Sequence, residues 1–153
     1  LSEALRALPG VEVPEAGGAM YAFFRLDGFA DSLDLAKRLV AEGRRGAMVN
    51  ITSMNGVMPG PNAGAYAATK SGISMLTKQM AVEWGQHGLR VNAVAPGLID
   101  GGMSGPIYAD PEIRALRESR VPLGRLGRTD DVSRAVLWLL SDAAEYKEAW
   151  GEA

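Results

Sequence analysis

Gly46-Ala47-Met48-Val49-Asn50-Ile51 is a short, mostly apolar run, and Thr52-Ser53 closes it. A run this brief without strict alternation predicts a strand buried on both faces, as in parallel sheets. A loop rich in Gly, Pro and Asn follows from Met54 to Gly64, and then Tyr66 to Trp84 reads as one long helix stopped around Gly85 to Gly88. Arg90-Val91-Asn92-Ala93-Val94-Ala95 supplies the next strand. Strand 47–52, helix 66–84 and strand 90–95 therefore make one β-α-β unit.

Working outward, Leu1, Leu5 and Leu8 share a helical face that Pro9-Gly10 ends, and Val11 to Val13 can form an antiparallel edge. Met20-Tyr21-Ala22-Phe23-Phe24 predicts a strand over 20–25. Asp31 or Ser32 can cap a helix over 32–42 whose stripe is Leu33, Ala36, Leu39 and Val40, with Gly43 at its end. Downstream, helices are expected at Pro111–Ser119 and Thr129–Ser141. Thr129 is the expected cap of the second, and Val132, Ala135, Val136 and Leu139 its buried stripe. Right-handed crossovers then predict an α/β fold: a small three-layer sandwich with a mostly parallel sheet of about 3–4 strands and helices on both faces, a partial Rossmann-like arrangement. One domain over 1–153 is expected, with a change of character near Gly43-Arg44-Arg45-Gly46 and a tail at 147–153.

Composition narrows the function classes. The 153 residues are 47% hydrophobic and 22% charged, the balance of one globular domain. The net charge of −2 arises from interspersed acids and bases, so no basic stripe exists to follow a phosphate backbone, and no nucleic-acid partner is expected. Cysteine is absent and His87 is the single histidine, which removes disulfides, thiolate nucleophiles and histidine or cysteine metal sites. No apolar stretch approaches the roughly 20 residues of a bilayer span, so a cytoplasmic protein without membrane contact is expected.

The chemistry concentrates on the long helix. Tyr66 and Lys70 are four residues apart and share a helical face, which lets the ammonium approach the phenol oxygen. An opposite charge within a few ångströms lowers a phenol from about 10 by roughly 1 to 3 units, making it usable as an acid or base near neutrality. Ser53, at the end of the preceding strand, could hydrogen-bond a substrate carbonyl beside that phenol. Tyr-x-x-x-Lys alone is frequent by chance, so the weight falls on its context.

That context is Val49-Asn50-Ile51-Thr52-Ser53, Tyr66-Ala67-Ala68-Thr69-Lys70-Ser71-Gly72, Arg90-Val91-Asn92-Ala93-Val94-Ala95-Pro96-Gly97, and Pro122-Leu123-Gly124-Arg125-Leu126-Gly127-Arg128 with Asp131. In that order, residues 46–146 resemble the catalytic half of the short-chain dehydrogenase/reductase family. The resemblance implies hydride transfer between NAD or NADP and a small carbonyl or alcohol substrate. It implies Tyr66 as acid/base, Lys70 as the residue that activates it and binds the nicotinamide ribose, and Ser53 as the hydroxyl that orients the carbonyl. Pro96, Gly97 and Ile99 match the loop that lies against the nicotinamide. Helix 66–84, apolar on more than one side, matches an oligomer interface, so a homo-oligomer is expected.

Several departures stand beside the match. The family's asparagine in the helix before the serine strand has no counterpart between Asp31 and Glu42, and Asn50 is expected to act structurally instead. The threonine expected after Ile99 is replaced by Gly101. No Thr-Gly-x-x-x-Gly-x-Gly turn, no G-x-G-x-x-G and no Asn-Asn-Ala-Gly segment occurs, so the pyrophosphate has no recognisable cradle. Residues 1–43 resemble instead the C-terminal small-domain segment of fold-type I pyridoxal-phosphate-dependent aminotransferases, in Leu8-Pro9-Gly10-Val11, Gly17-Gly18-Ala19-Met20-Tyr21-Ala22-Phe23 and Asp31-Ser32-Leu33-Asp34-Leu35-Ala36. The sequence therefore reads as a chimera or truncated remnant. The expectations are an oxidoreductase segment inactive as an isolated chain or, as the alternative, an α/β domain without enzymatic function.

Overall fold

The computed structural model describes residues 11–12, 25–26, 38, 41–43 and 45–146. Two compact units divide the chain, residues 1–39 and residues 40–153. In the first, β1 (Val11–Glu12) pairs antiparallel with β2 (Arg25–Leu26), Val11 opposite Leu26. The expected edge at 11–13 is thus paired with the end of the expected strand over 20–25, whose residues 20–24 lie outside the described set. Arg38 is helical in this unit, and Ala41 is helical in the second; the caps Asp31 and Ser32 and the stripe Leu33, Ala36, Leu39 and Val40 lie outside the described residues.

The second unit is built on β3 (Gly46–Ile51), α1 (Gly64–Trp84) and β4 (Leu89–Val94), with the strands parallel and Gly46 opposite Leu89 through Ile51 opposite Val94. Gly88, at φ +78°, turns the chain from a short 3-10 helix (Gly85–His87) into β4. A side chain there would need the left-handed conformation that glycine adopts without penalty.

Side chains alternate across a strand, so hydrogen bonds identify the two faces of this sheet. Asn50 Nδ2 donates to Thr77 Oγ1 on α1 at 2.9 Å, which puts Met48 and Asn50, with their register partners Val91 and Ala93, on the α1 side. Arg90 points to the other side and donates to the carbonyls of Leu139 (2.8 Å) and Ser141 (3.0 Å) at the end of α4 (Thr129–Leu140). α4 packs on both strands. Helices thus cover both faces, and the three-layer α/β architecture holds. Among the described residues the long parallel ladder has two strands.

After β4, β5 (Ile99–Asp100) runs parallel to β6 (Gly127–Arg128), and α2 (Gly105–Tyr108) and α3 (Pro111–Glu118) lie between them in sequence. Asp110 caps α3, its Oδ1 accepting from the N–H groups of Glu112 (2.9 Å) and Ile113 (3.2 Å), and Pro111 occupies the first position.

Two expectations for α4 are corrected. Arg128, not Thr129, is the residue before the first turn, and the Asp131 carboxylate reaches back to accept from its N–H at 2.8 Å. Of the expected buried stripe only Leu139 is buried; Val132 and Val136 are half-buried and Ala135 is exposed. Periodicity says which residues share a face, but a two-stranded ladder is narrower than that face. Among the described residues no helix is long and apolar enough to cross a membrane.

Candidate active site

Ser53 lies just beyond the end of β3, and Tyr66 and Lys70 lie in the first two turns of α1. Ser53 is 9% exposed, and its Oγ accepts from Asn55 N–H at 3.2 Å, capping the 3-10 turn Met54–Gly56. That bond uses an oxygen lone pair and leaves the O–H as a donor.

Lys70 is only 5% exposed, and burial of an ammonium requires partners. Its Nζ donates to the Ile51 carbonyl at 3.0 Å and stands 5.7 Å from the centroid of the Tyr66 ring. The expected contact is an ammonium near the phenol oxygen; the contact seen is a cation over the ring, within the range where the aromatic quadrupole attracts it. The half-buried Tyr66 is held from the helix, whose first turns Thr69 stiffens by donating to the Tyr66 carbonyl at 2.7 Å.

The loop after β4 is brought against the same strand end. Met54 N–H donates to the Pro96 carbonyl at 3.0 Å, and Thr52 donates to the Val94 carbonyl from both its N–H (2.8 Å) and its hydroxyl (3.2 Å). Pro96 and Gly97 thus lie beside the Ser53 turn. Ile99 is committed to the β5–β6 ladder, and the neighbouring Leu98 carbonyl accepts from Gly127 N–H at 2.9 Å. Ser53, Lys70, Pro96 and Gly97 thus lie at or beside the C-terminal ends of β3 and β4, where open α/β sheets hold ligands, with Tyr66 one turn from Lys70 on α1, whereas Ile99 belongs to the separate β5–β6 ladder.

Two further residues shape this site and carry little sequence signal. Gly56 presses against α1: a Cβ there would lie 2.8 Å from the Lys70 carbonyl carbon and 3.0 Å from Lys70 Cβ. Ser71, next to Lys70, donates to the Gly56 carbonyl at 2.8 Å. The Asn55-Gly56 pair reads as a turn, but the close approach to a helix fourteen residues on is visible only in three dimensions.

A tyrosine, a buried lysine and a serine hydroxyl are a donor set suited to a carbonyl oxygen and to ribose hydroxyls.

The chain is similar to several known proteins. Residues 10–149 match the family model described as enoyl-(acyl carrier protein) reductase. The chain is 43% identical over 101 residues to 3beta-hydroxysteroid dehydrogenase 1 of Eggerthella lenta, covering 66% of this chain and 39% of that protein. It is 40% identical over 111 residues to cis-4-hydroxycyclohexanecarboxylate dehydrogenase of Sinomonas cyclohexanicum, covering 72% and 44%. Among solved structures, 4-hydroxyisoleucine dehydrogenase complexed with NADH superposes with a TM-score of 0.74 at 32% identity, over 78% of this chain and 49% of that one. The 3-oxoacyl-[acyl-carrier protein] reductase of Brucella melitensis gives 0.71 at 35% identity, over 77% and 43%. The chain spans less than half the length of each of these relatives. The family model takes in nearly the whole chain, and the chain belongs to the short-chain dehydrogenase/reductase family.

Proposed function

We propose that this chain carries the catalytic half of an NAD(P)-dependent oxidoreductase that interconverts a small carbonyl compound and its alcohol. The observation that supports it most directly is the buried Lys70, its ammonium over the Tyr66 ring and bonded to the strand end that leads into Ser53. An ion is not buried at a strand end without a partner to justify its desolvation.

The residues fit the nicotinamide-ribose end of such a cofactor. Lys70 would hold ribose hydroxyls, and the backbone from Pro96 to Ile99 would lie along the nicotinamide. When bound, a reduced nicotinamide cofactor would supply the hydride for the carbonyl carbon. Ser53 then donates its hydroxyl proton in a hydrogen bond to the carbonyl oxygen and orients it. Tyr66 gives its phenolic proton to that oxygen as the C=O bond becomes C–O–H, and takes it back in the reverse direction. Oxidation at one centre thus balances reduction at the other, and one proton moves through one named atom. These roles concern the ribose and carbonyl ends of the cofactor and substrate.

The test is titration of the purified chain with NADH and NADPH, following cofactor fluorescence and the thermal midpoint together, because a ligand of the folded state raises that midpoint. Saturable binding weakened by Lys70→Ala supports the reading, and reductase assays on small cyclic and linear ketones follow from it. Absence of binding at millimolar cofactor overturns it for this chain and favours the second reading, a non-catalytic α/β domain. An aminotransferase-like origin for residues 1–43 is the finer part of that second reading, and the family model, which begins at residue 10, runs across that segment.

We also propose self-association through α1, because Met75, Leu76 and Val82 are exposed on it. Sedimentation of the wild type against Leu76→Glu tests this: a single monomeric species for the wild type overturns it.

A further inference from the structure

We infer that Asn50 and Thr77 are positioning residues for the Tyr66–Lys70 pair: their part-buried hydrogen bond fixes where α1 sits along β3. The inference rests on the proposed roles of Tyr66 and Lys70, but its test does not need them to be catalytic.

The argument starts from what α1 buries. Over its 21 residues the buried ones are Lys70, Thr77 and Ala81. Two of these are polar and the third is the smallest side chain with a Cβ. Ile73, Met80 and Trp84 on the same side are half-buried, and apolar burial of this kind is non-directional, so it does not by itself single out one axial position. The packing alone therefore leaves the axial position of α1 weakly determined.

A directional bond removes that freedom. Thr77 is fully buried, and its hydroxyl donates to the Ile73 carbonyl at 2.7 Å. With its proton committed to its own helix, the oxygen presents a lone pair outward, and Asn50 Nδ2 donates to it at 2.9 Å. Sliding α1 in either direction would part the half-buried Asn50 amide from the fully buried Thr77 hydroxyl, and a buried polar atom that loses its partner is costly.

The consequence for the site follows from adjacency. Thr77 is seven residues, two turns, from Lys70 on the same stripe of α1. Asn50 is the neighbour of Ile51, whose carbonyl receives the Lys70 ammonium. One strand dipeptide thus makes both contacts, one to a residue that anchors the helix and one to the residue that is anchored. The second tie, Ser71 to the Gly56 carbonyl, is exposed and belongs to a loop rather than to the strand.

The test reads the Lys70–Ile51 bond itself. In protein labelled with 15N and 13C, the Lys70 ammonium gives a proton–nitrogen signal assigned by its loss in Lys70→Met. A through-bond coupling links that signal to the Ile51 carbonyl carbon, and the exposed Lys78 on the same helix serves as reference. In Thr77→Val, which keeps shape and removes the acceptor, the coupling should fall below detection and the Lys70 signal should move towards that of Lys78. Thr77→Ser should restore both. Val91→Ala, a fully buried position in β4 outside this bond, should lower the thermal midpoint and leave the coupling intact. Should Thr77→Val not fold, Asn50→Ala interrogates the same bond from the strand. A folded Thr77→Val or Asn50→Ala that keeps the wild-type coupling overturns the proposal, and so does loss of the coupling in Val91→Ala, because the effect would then be one of general stability. Cofactor titration of the same samples is a separate readout, so failure of the oxidoreductase reading leaves this result standing.

Discussion

Arg90 on β4 donates through Nη1 to the carbonyl of Leu139 at 2.8 Å, and through Nη2 to that of Ser141 at 3.0 Å. The last carbonyls of a helix have no partner within it, and a cation there also meets the negative end of the helix dipole. Arg90→Met keeps the aliphatic stem and removes both donors. It should destabilise the fold by roughly 1.5–3 kcal/mol, the range for hydrogen bonds to a charged group. Arg90→Lys should recover only part, because one ammonium does not reproduce a planar fork. Urea denaturation checks this, and a loss under about 0.5 kcal/mol for Arg90→Met would show that water replaces the guanidinium at little expense.

Acid should weaken the turn that starts α4. The Arg125 guanidinium, 2.8 Å from the Asp131 carboxylate, holds that carboxyl well below the usual range, helped by the Arg128 N–H and by Arg134 at 2.6 Å. A carboxyl that is harder to protonate when folded contributes stability that is present above the unfolded value, about pH 4, and is lost as pH falls below it. The wild type should therefore lead Asp131→Asn in thermal midpoint at pH 7, with the gap narrowing as pH drops from about 4 towards 2. A gap that stays constant over that interval would exclude Asp131 as the titrating group.

What the sequence made legible was local. Tyr66 and Lys70 could be paired because four residues on a helix fix a geometry, and Ser53 could be placed because a strand end follows from a run of apolar residues. The actual partner of Lys70, the Ile51 carbonyl, lies 19 residues away, and that of Asn50, Thr77, lies 27 away. Neither separation obeys a helix or strand period, so only the packing of α1 on β3 reveals them. The cap of α4 was misplaced for a related reason. Threonine is a good cap in isolation, but the Asp131 carboxylate, ordered by Arg125 from the preceding turn, captures the free N–H one residue earlier.

Two glycines at the site should respond in opposite senses to the same change. Gly56→Ala places a carbon 2.8 Å from backbone of Lys70, a contact that rotation of a side chain cannot relieve. Overpacking of this kind costs about 1–3 kcal/mol, and it should also displace the Lys70 ammonium from Ile51. Gly72→Ala, inside α1 with nothing within 4 Å, should stabilise by roughly 0.5–1 kcal/mol through helix propensity. Thermal and urea melts of the two variants side by side decide it: a neutral Gly56→Ala would mean that the Met54–Gly56 turn yields readily and does not brace the helix.

Gly101 stands where the family resemblance leads one to expect a threonine, and the backbone explains why this chain cannot simply regain it. The residue has φ +150° and ψ +168°, a region open essentially to glycine alone, and a Cβ there would lie 2.9 Å from Thr129 Cγ2. Two separable penalties are present, one in the backbone and one in the contact. Gly101→Ala should therefore cost about 1–3 kcal/mol from backbone strain together with the added crowding. Thr129→Ser removes the crowding methyl while keeping the hydroxyl, so in Gly101→Ala/Thr129→Ser only the contact part should return, and a double-mutant cycle isolates it. Full recovery in the double variant would show that the backbone accepts a side chain at 101 once space is made, and a Gly101→Thr variant would then be a reasonable route to restoring the missing hydroxyl. Partial recovery, the expected result, means that the departure at this position is built into the course of the chain between β5 and α2.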